Sequence, residues 1–221
     1  MRGDELRRPA AVLWDLDGTI IDTEPLWMAA EYDLVDRHGG TWNEKHSKAI
    51  VGSDLVNAGG YIREHAGVDL EAHEIVEDLV GAVLTQMATD LRWRPGALEL
   101  LGALHIAEVP LGLVTMSYRS IVDALLPHLP EGIFDIVVTG DEVTAGKPDP
   151  EPYLAAARAL AVDPARCVAI EDSPTGTAAA EAAGCHVLVV PNQVAVAPAP
   201  GRTLAQSLVG IGVADLAALL G

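Results

Sequence analysis

Between residue 94 and the carboxyl terminus, short apolar runs alternate with segments whose apolar residues recur at helical spacing. The predicted strands cover residues 109–114, 133–138, 167–170 and 186–190, and the predicted helices cover residues 97–104, 120–129, 152–161 and 175–183. Strands that alternate with helices of this length form βαβ units, which place parallel strands in one sheet with helices on both faces. The predicted fold class is therefore α/β, with a Rossmann-like, doubly wound parallel sheet.

One further apolar run, residues 10–14, precedes this alternation and ends in Asp15-Leu16-Asp17-Gly18-Thr19. Carboxylates at positions i and i+2 of an extended chain share a face, and the carboxyl end of a parallel sheet is where ligands bind. Two carboxylates in one place repel each other unless a cation or a shared proton relieves them. Gly18 has the backbone freedom to end the strand and to bring amides close to an anion. A surface turn is the alternative interpretation of this stretch, because Asp-Gly is a common turn dipeptide.

Residues 22–90 differ from the rest of the chain. Residues 25–38 and 73–91 have helical spacing, and no strong strand run interrupts the segment. It holds fourteen Asp or Glu and four Lys or Arg, so it contributes −10 of the net charge of −18. We predict a helical cap domain at residues 22–91 over an α/β core domain formed by residues 1–21 and 92–221, with turns at Gly39-Gly40 and Gly59-Gly60. A solvated acidic helical bundle without a role in the reaction is the alternative.

Composition restricts the classes of partner. The net charge of −18 argues against nucleic acid, whose phosphates require basic patches. The seven histidines are scattered and predict no zinc site, and no apolar run has the length of a membrane span. No secretory signal is recognisable, and Cys167 and Cys185 are too few for a disulfide scaffold. We expect a cytoplasmic protein with reduced thiols that is a monomer or weak oligomer. We also predict that the tail forms a strand near residues 208–209 and a helix at 213–220.

Four sets of polar residues follow the predicted strands and so lie at one edge of the sheet: Asp15 with Asp17, Thr115 with Ser117, Lys147, and Glu171 with Asp172. Each has an ordinary interpretation: Thr115 as a helix N-cap, Lys147 as a solvated lysine, and Glu171-Asp172 as the acidic start of a helix. Together they suit phosphoryl transfer, since Mg²⁺ prefers oxygen ligands and a carboxylate can attack phosphorus. A second carboxylate can act as general acid and base, while a lysine and a cation neutralise the developing charge.

The motifs Asp15-Leu16-Asp17-Gly18-Thr19, Val114-Thr115-Met116-Ser117, Lys147-Pro148 and Glu171-Asp172-Ser173-Pro174 resemble, in order and spacing, the four motifs of the haloacid dehalogenase-like hydrolases. The helical insertion after the first motif is similar to that of the subfamily that contains β-phosphoglucomutase and phosphoglycolate phosphatase.

The resemblance implies a role for each motif residue. Asp15 would be the nucleophile that forms an aspartyl-phosphate, Asp17 the general acid and base, and Lys147 a bridge between Asp15 and the phosphate. Thr115, with the amides of Met116 and Ser117 and with Gly18, would bind the phosphoryl group. Mg²⁺ would be held by Asp15, the Asp17 carbonyl and Asp172, with Glu171 either a direct ligand or a neighbour of the ligands. Members that cleave carbon–halogen bonds lack an acid at the position of Asp17, which favours phosphate chemistry here.

The cap distinguishes a phosphatase from a mutase. Similar mutases place a histidine at the position of Trp27, an arginine at that of Leu55 and a lysine near that of Val83, and these cations are absent here. We therefore favour a Mg²⁺-dependent phosphatase that acts on a small phosphorylated metabolite of the sugar or polyol class. A mutase and a non-catalytic phosphate-binding module are the alternatives. Trp27 and Gly52 are candidate substrate-binding residues. Core packing between cap helices is an equally favoured interpretation of Trp27.

Overall fold

The sheet is parallel and six-stranded. The computed structural model describes residues 8–221. Its strands are β1 (Ala11–Trp14), β2 (Leu111–Val114), β3 (Ile136–Val138), β4 (Cys167–Glu171), β5 (His186–Val189) and β6 (Arg202–Leu204), in the spatial order β3-β2-β1-β4-β5-β6. This order confirms the predicted doubly wound α/β fold, since it reverses direction beside β1.

Helices cover both faces of the sheet. Within the described residues they are α1 (Glu24–Arg37), α2 (Glu44–Ile50), α3 (Leu55–Ala66), α4 (Ala72–Met87), α5 (Ala97–Ile106), α6 (Arg119–Leu125), α7 (Glu151–Ala159), α8 (Pro174–Ala182) and α9 (Val213–Ala218). None of these helices is long and apolar enough to span a lipid bilayer. Successive β1 side chains alternate between two hydrophobic clusters, Val12 and Trp14 in one and Ala11 and Leu13 in the other. An uninterrupted apolar strand is what two covered faces require.

The position of β1 brings distant segments together. Its residue Val12 lies in register with Leu111 of β2 on one side and with Val168 of β4 on the other. All three strands are parallel, so the residues that follow them emerge at the same edge of the sheet. The functional candidates after β1, β2 and β4 are neighbours for this reason.

Helices α1 to α4, which we call the helical insertion, follow β1 and pack mainly on each other. Leu34, Ile62, Ile75 and Leu79 are buried among them. The chain enters and leaves the insertion along paired linkers, because the Asp22 amide donates to the Arg92 carbonyl at 2.7 Å and the Arg94 amide to the Ile20 carbonyl at 2.8 Å.

The predicted turn at Gly59-Gly60 is wrong, because both glycines lie inside α3. A β-carbon at Gly59 would lie 2.6 Å from the Ala72 carbonyl oxygen and 3.0 Å from a methyl group of Val76. The glycine therefore permits close contact between α3 and α4 and does not end a helix. The turn predicted at Gly39-Gly40 is present after α1.

The predicted strand at residues 208–209 is also wrong. Leu208 is buried in the core, Val209 is exposed, and the Val209 amide donates to the Ser207 hydroxyl in a local turn. The last strand is β6, which lies earlier in the chain and pairs with β5. Its side chains are mostly exposed, so it carries no apolar run from which it could be recognised. Helix α9 falls within the helix predicted at 213–220.

Candidate active site

A buried ion-pair network lies at the carboxyl ends of the central strands. The Lys147 ammonium donates to Asp15 Oδ1 at 2.7 Å and to Glu171 Oε1 at 2.6 Å. The Tyr153 hydroxyl donates to the same Glu171 oxygen at 2.6 Å, and the Ser173 hydroxyl donates to Glu171 Oε2 at 3.3 Å. Residues that are 132 positions apart in the chain thus share one buried charge cluster.

The carboxylates of this network fit a cation. Asp15, Glu171 and Asp172 each offer an oxygen, and these oxygens lie within 4.8 Å of one another. Asp15 Oδ2 is buried without a hydrogen-bond partner among the described residues. An unpartnered buried carboxylate oxygen is costly unless a cation or proton binds it. The donor set is entirely oxygen, which suits a hard divalent ion.

The ionisation of these groups reflects the crowding of negative charge. Burial, together with the charges of Glu171 and Asp17, raises the pKa of Asp15 to about 7 against the attraction of Lys147. Burial, and then the charges of Asp15 and Glu171, raise the pKa of Asp172 well above its usual range. Burial opposes the charge on Lys147, but Asp15 and Glu171 outweigh burial and raise its pKa. The lysine is therefore a permanent cation, and the carboxylates need more positive charge than it supplies.

The Asp17 carboxylate is held apart from this network. Its Oδ1 accepts hydrogen bonds from the Thr23 hydroxyl at 2.6 Å and the Trp27 indole at 3.3 Å. Its Oδ2 accepts from the Ser117 hydroxyl at 2.7 Å and the Thr115 hydroxyl at 3.1 Å. Asp15 thus lies against a cation, whereas Asp17 lies among neutral donors. Such a difference in surroundings allows two carboxyl groups of one site to differ in chemistry.

Glycines allow the close approaches in the site. Gly18 has a φ of +86°, and a β-carbon there would lie 2.1 Å from Asp172 Oδ2. At Gly176 a β-carbon would lie 1.9 Å from Glu171 Oε1.

Lys147 is joined to Pro148 by a cis peptide bond, and its amide donates to the Met116 sulfur at 3.2 Å.

A cavity separates the strand ends from the helical insertion. From the core it is lined by Asp15, Asp17, Met116, Ser117, Lys147, Asp172 and Ser173, and from the insertion by Glu24, Trp27, Glu31, Ile50, Val51, Gly52, Ser53, Leu55, Ala58 and Leu79. Thr115 and Glu171 are fully buried and do not line it. Gly18 also lies outside the lining, behind Asp172.

Trp27 and Gly52 both face the cavity from the insertion. Trp27 belongs to the hydrophobic core as well, so it packs in the core and also lines the cavity. Gly52 lies so close to the core that a β-carbon would be 2.8 Å from the Ser173 hydroxyl oxygen.

Several site residues carried no recognisable signal in the sequence. Thr23 donates to Asp17 and Tyr153 donates to Glu171, and Glu24 and Glu31 line the cavity from α1. Tyr153 lies within a predicted helix and resembles any aromatic core residue. Glu24 and Glu31 were two of many acids in an acidic segment, and only the packing of α1 shows that they are buried.

The fold and the site define the chain as a haloacid dehalogenase-like hydrolase: the model of that family matches residues 12–190, and the chain belongs to the family. Among solved structures, CbbY from Rhodobacter sphaeroides in complex with phosphate superposes with a TM-score of 0.84 at 28% identity, covering 94% of this chain and 99% of that one.

Several similar proteins with assigned activities are phosphatases. The chain is 32% identical to fructose-1-phosphate phosphatase YqaB of Escherichia coli (strain K12), over 83% of this chain and 97% of that protein. It is 34% identical to the bifunctional riboflavin kinase/FMN phosphatase of Arabidopsis thaliana, over 83% of this chain. The match spans 48% of the length of the Arabidopsis protein.

Proposed function

We propose that this protein is a Mg²⁺-dependent phosphatase that hydrolyses a small phosphorylated metabolite of the sugar or polyol class through an aspartyl-phosphate. The observation that carries the proposal is the Asp15 carboxylate, which faces the cavity with one oxygen held by Lys147 at 2.7 Å and the other without a partner among residues 8–221. Membership of the hydrolase family and the similarity to fructose-1-phosphate phosphatase support it.

In the first half of the proposed reaction, an oxygen of Asp15 bonds to phosphorus as the bond from phosphorus to the leaving oxygen breaks. Asp17 donates a proton to that oxygen. In the second half, Asp17 takes a proton from water, whose oxygen attacks phosphorus and releases Asp15. The Thr23, Thr115 and Ser117 hydroxyls can accept as well as donate, so they can hold Asp17 in both protonation states.

Positive charge allows an anionic nucleophile to approach an anionic phosphate. Lys147 supplies a fixed charge beside Asp15. A Mg²⁺ ion, held by Asp15, Asp172 and the Asp17 carbonyl, would add Lewis acidity toward the phosphoryl oxygens. Both Glu171 oxygens already accept hydrogen bonds within the protein, which favours a positioning role toward Lys147 over direct metal ligation.

We propose that Met116 and Ser117 bind the phosphoryl group, since both line the cavity beside Lys147, and that Thr115 acts mainly through Asp17. Residues 22–91 would form a cap domain that shields the acyl-phosphate from bulk water, because the cavity lies between the insertion and the strand ends.

The cap supports a phosphatase over a mutase. Trp27 and Leu55, at two of the positions where similar mutases hold cations, line the cavity with uncharged side chains. Val83, at the third, is fully buried in α4. A second phosphate would find no cation at these positions.

The test is hydrolysis of para-nitrophenyl phosphate by the full chain. We expect turnover with Mg²⁺, its loss with EDTA, and a fall of at least about 10³-fold in kcat for Asp15→Asn. Asp123→Asn, an exposed change of the same chemistry on α6, should keep the wild-type rate. Substantial activity in Asp15→Asn would refute the aspartyl-phosphate mechanism.

A further inference from the structure

The end of the cavity formed by the helical insertion carries two acidic side chains and one hydroxyl, that of Ser53, on walls that are mostly apolar. Its polar side chains from α1 are Glu24 and Glu31, and its walls include Trp27, Ile50, Leu55 and Leu79. We call these six residues the distal pocket. Among the described residues that line the whole cavity, Lys147 is the only cationic side chain, and it is already paired with Asp15 and Glu171.

Glu24 is a buried carboxylate that faces this pocket without a partner. It is 8% exposed, and within residues 8–221 it makes no side-chain hydrogen bond and no ion pair. Burial, together with the charges of Glu31 and Asp17, raises its pKa to about 8. A side chain with these surroundings is stabilised by a ligand that brings positive charge or a hydrogen-bond donor.

Glu31 adds a second, fixed carboxylate to the pocket. It is 4% exposed, and the Trp42 indole donates to its Oε2 at 3.0 Å. The same indole nitrogen lies 2.9 Å from the Ser47 hydroxyl oxygen, so the carboxylate is held by a neutral group and not by a cation. Burial raises the pKa of Glu31 as well. Among the described residues, neither of these two pocket carboxyl groups has a cationic partner.

The remaining walls suit an organic cation. The Trp27 side chain lines the pocket with the two acids, and aromatic rings attract ammonium groups. Ile50, Leu55 and Leu79 exclude water, which strengthens an ion pair formed inside the pocket. A neutral polyol can meet these carboxyl groups only through hydrogen bonds, whereas an ammonium group donates hydrogen bonds and also stabilises their ionised form, which burial disfavours.

We propose that the distal pocket selects a phosphate monoester whose leaving group carries a protonated amine, with Glu24 and Glu31 as the residues that recognise the amine. This inference rests on the proposed phosphatase activity and narrows its substrate class to amino-substituted sugar, polyol or alkyl phosphates. Lys147 and the strand ends take the phosphate, and the insertion takes the amine at the other end of the same cavity.

The experiment compares matched substrates that differ in the amine alone. Linear aminoalkyl phosphates of two to five carbons are paired with the corresponding hydroxyalkyl phosphates, and glucosamine 6-phosphate is paired with glucose 6-phosphate. We expect kcat/KM of the full chain with Mg²⁺ to favour the amine by about tenfold or more in at least one pair. In Glu31→Gln, and separately in Glu24→Gln, that preference should fall to within about threefold.

Glu64→Gln is the matched control, because it removes one acid from an exposed position of α3 in the same insertion and should retain the wild-type preference. If Glu31→Gln fails to fold, Glu24→Gln carries the test. The Asp15→Asn variant gives a readout without turnover, since the preferred aminoalkyl phosphate should raise its Tm more than the paired hydroxyalkyl phosphate does.

The outcomes separate the two proposals. Hydrolysis of para-nitrophenyl phosphate with no amine preference in any pair overturns the inference and leaves the phosphatase standing. A preference that persists in both Glu24→Gln and Glu31→Gln overturns the assignment to these residues. Absence of hydrolysis for every substrate overturns the phosphatase and the inference with it.

Discussion

Glu171 illustrates how a fully buried carboxylate is tolerated in this core. It accepts hydrogen bonds from Lys147, Tyr153 and Ser173, so both of its oxygens are satisfied. Its charge is compensated by the lysine that also contacts Asp15. A buried ion pair holds its geometry only when the remaining lone pairs are also hydrogen-bonded. Tyr153 is the neutral donor that meets this requirement.

Removal of the Tyr153 hydroxyl should therefore cost stability. In Tyr153→Phe, Glu171 Oε1 keeps Lys147 but loses a donor that water cannot replace, because both residues are fully buried. We expect the free energy of unfolding to fall by about 1–3 kcal/mol, measured by urea denaturation.

Tyr118→Phe is the control, since Tyr118 is half-buried and donates no hydrogen bond to a described residue. It should change stability by less than about 0.5 kcal/mol. Equal stability of the two variants would show that Tyr153 does not support Glu171.

At the scale of elements, the start of α8 is the most constrained part of the site. Ser173 caps the helix by accepting from the Gly176 amide at 3.0 Å, and Pro174 occupies the first turn. The first turn of α8 packs directly on the Glu171 carboxylate, where Gly176 leaves no room for a β-carbon. Helix α8 thus holds the carboxylate against Lys147 by shape as well as by hydrogen bonds.

Two glycine substitutions with the same chemistry should have opposite effects. Gly176→Ala places a methyl group within 2.2 Å of both Glu171 carboxylate oxygens, so the carboxylate or the helix must move. We expect a loss of about 1–3 kcal/mol in unfolding free energy, together with reduced phosphatase activity.

Gly81→Ala, in the interior of α4 with open space around it, should instead gain about 0.5–1 kcal/mol from helix propensity. Thermal unfolding of both variants beside the wild type measures the contrast. A stabilised Gly176→Ala would mean that the approach of α8 to Glu171 is not close.

At the scale of the whole molecule, the reactivity of the two thiols measures whether the sheet is folded. Cys167 begins β4, Cys185 precedes β5, and both are buried in the same hydrophobic cluster. Burial raises the pKa of Cys167 to about 11 and that of Cys185 to about 12. Because the thiolate is the reactive form, both groups are protected by burial and by protonation.

We therefore expect native protein at pH 8 to react slowly with a thiol-specific disulfide reagent, since on the order of one thousandth or less of either thiol is ionised. The raised pKa values mean that the thiolate fraction grows only as the pH approaches 11. Protein unfolded in guanidinium should react rapidly at both positions. Fast stoichiometric labelling of the native chain would contradict the burial of at least one of the two thiols.

Much of the fold was predictable because it depends on local pattern. The apolar run of β1 and the alternation of strands and helices after residue 94 predicted the parallel sheet. A parallel sheet in turn predicted that Asp15, Lys147 and Asp172 lie at one edge. The wrong predictions concern segments whose structure depends on a contact with residues distant in the chain. Gly59 lies inside α3, where the missing side chain permits close contact with Ala72, and β6 is recognisable as a strand only from its pairing with β5.

The sequence by itself determined the class of fold, the family, and the acids and lysine of the candidate site, since strand periodicity and motif order are properties of neighbouring residues. Only the tertiary structure decided which atoms meet. It brought Tyr153 to Glu171, gave Asp17 its four donors, and buried Glu24 and Glu31 in the cavity. The physical reason is that burial and hydrogen-bond partnership depend on the packing of segments distant in the chain, and the chemistry of a carboxylate depends on both.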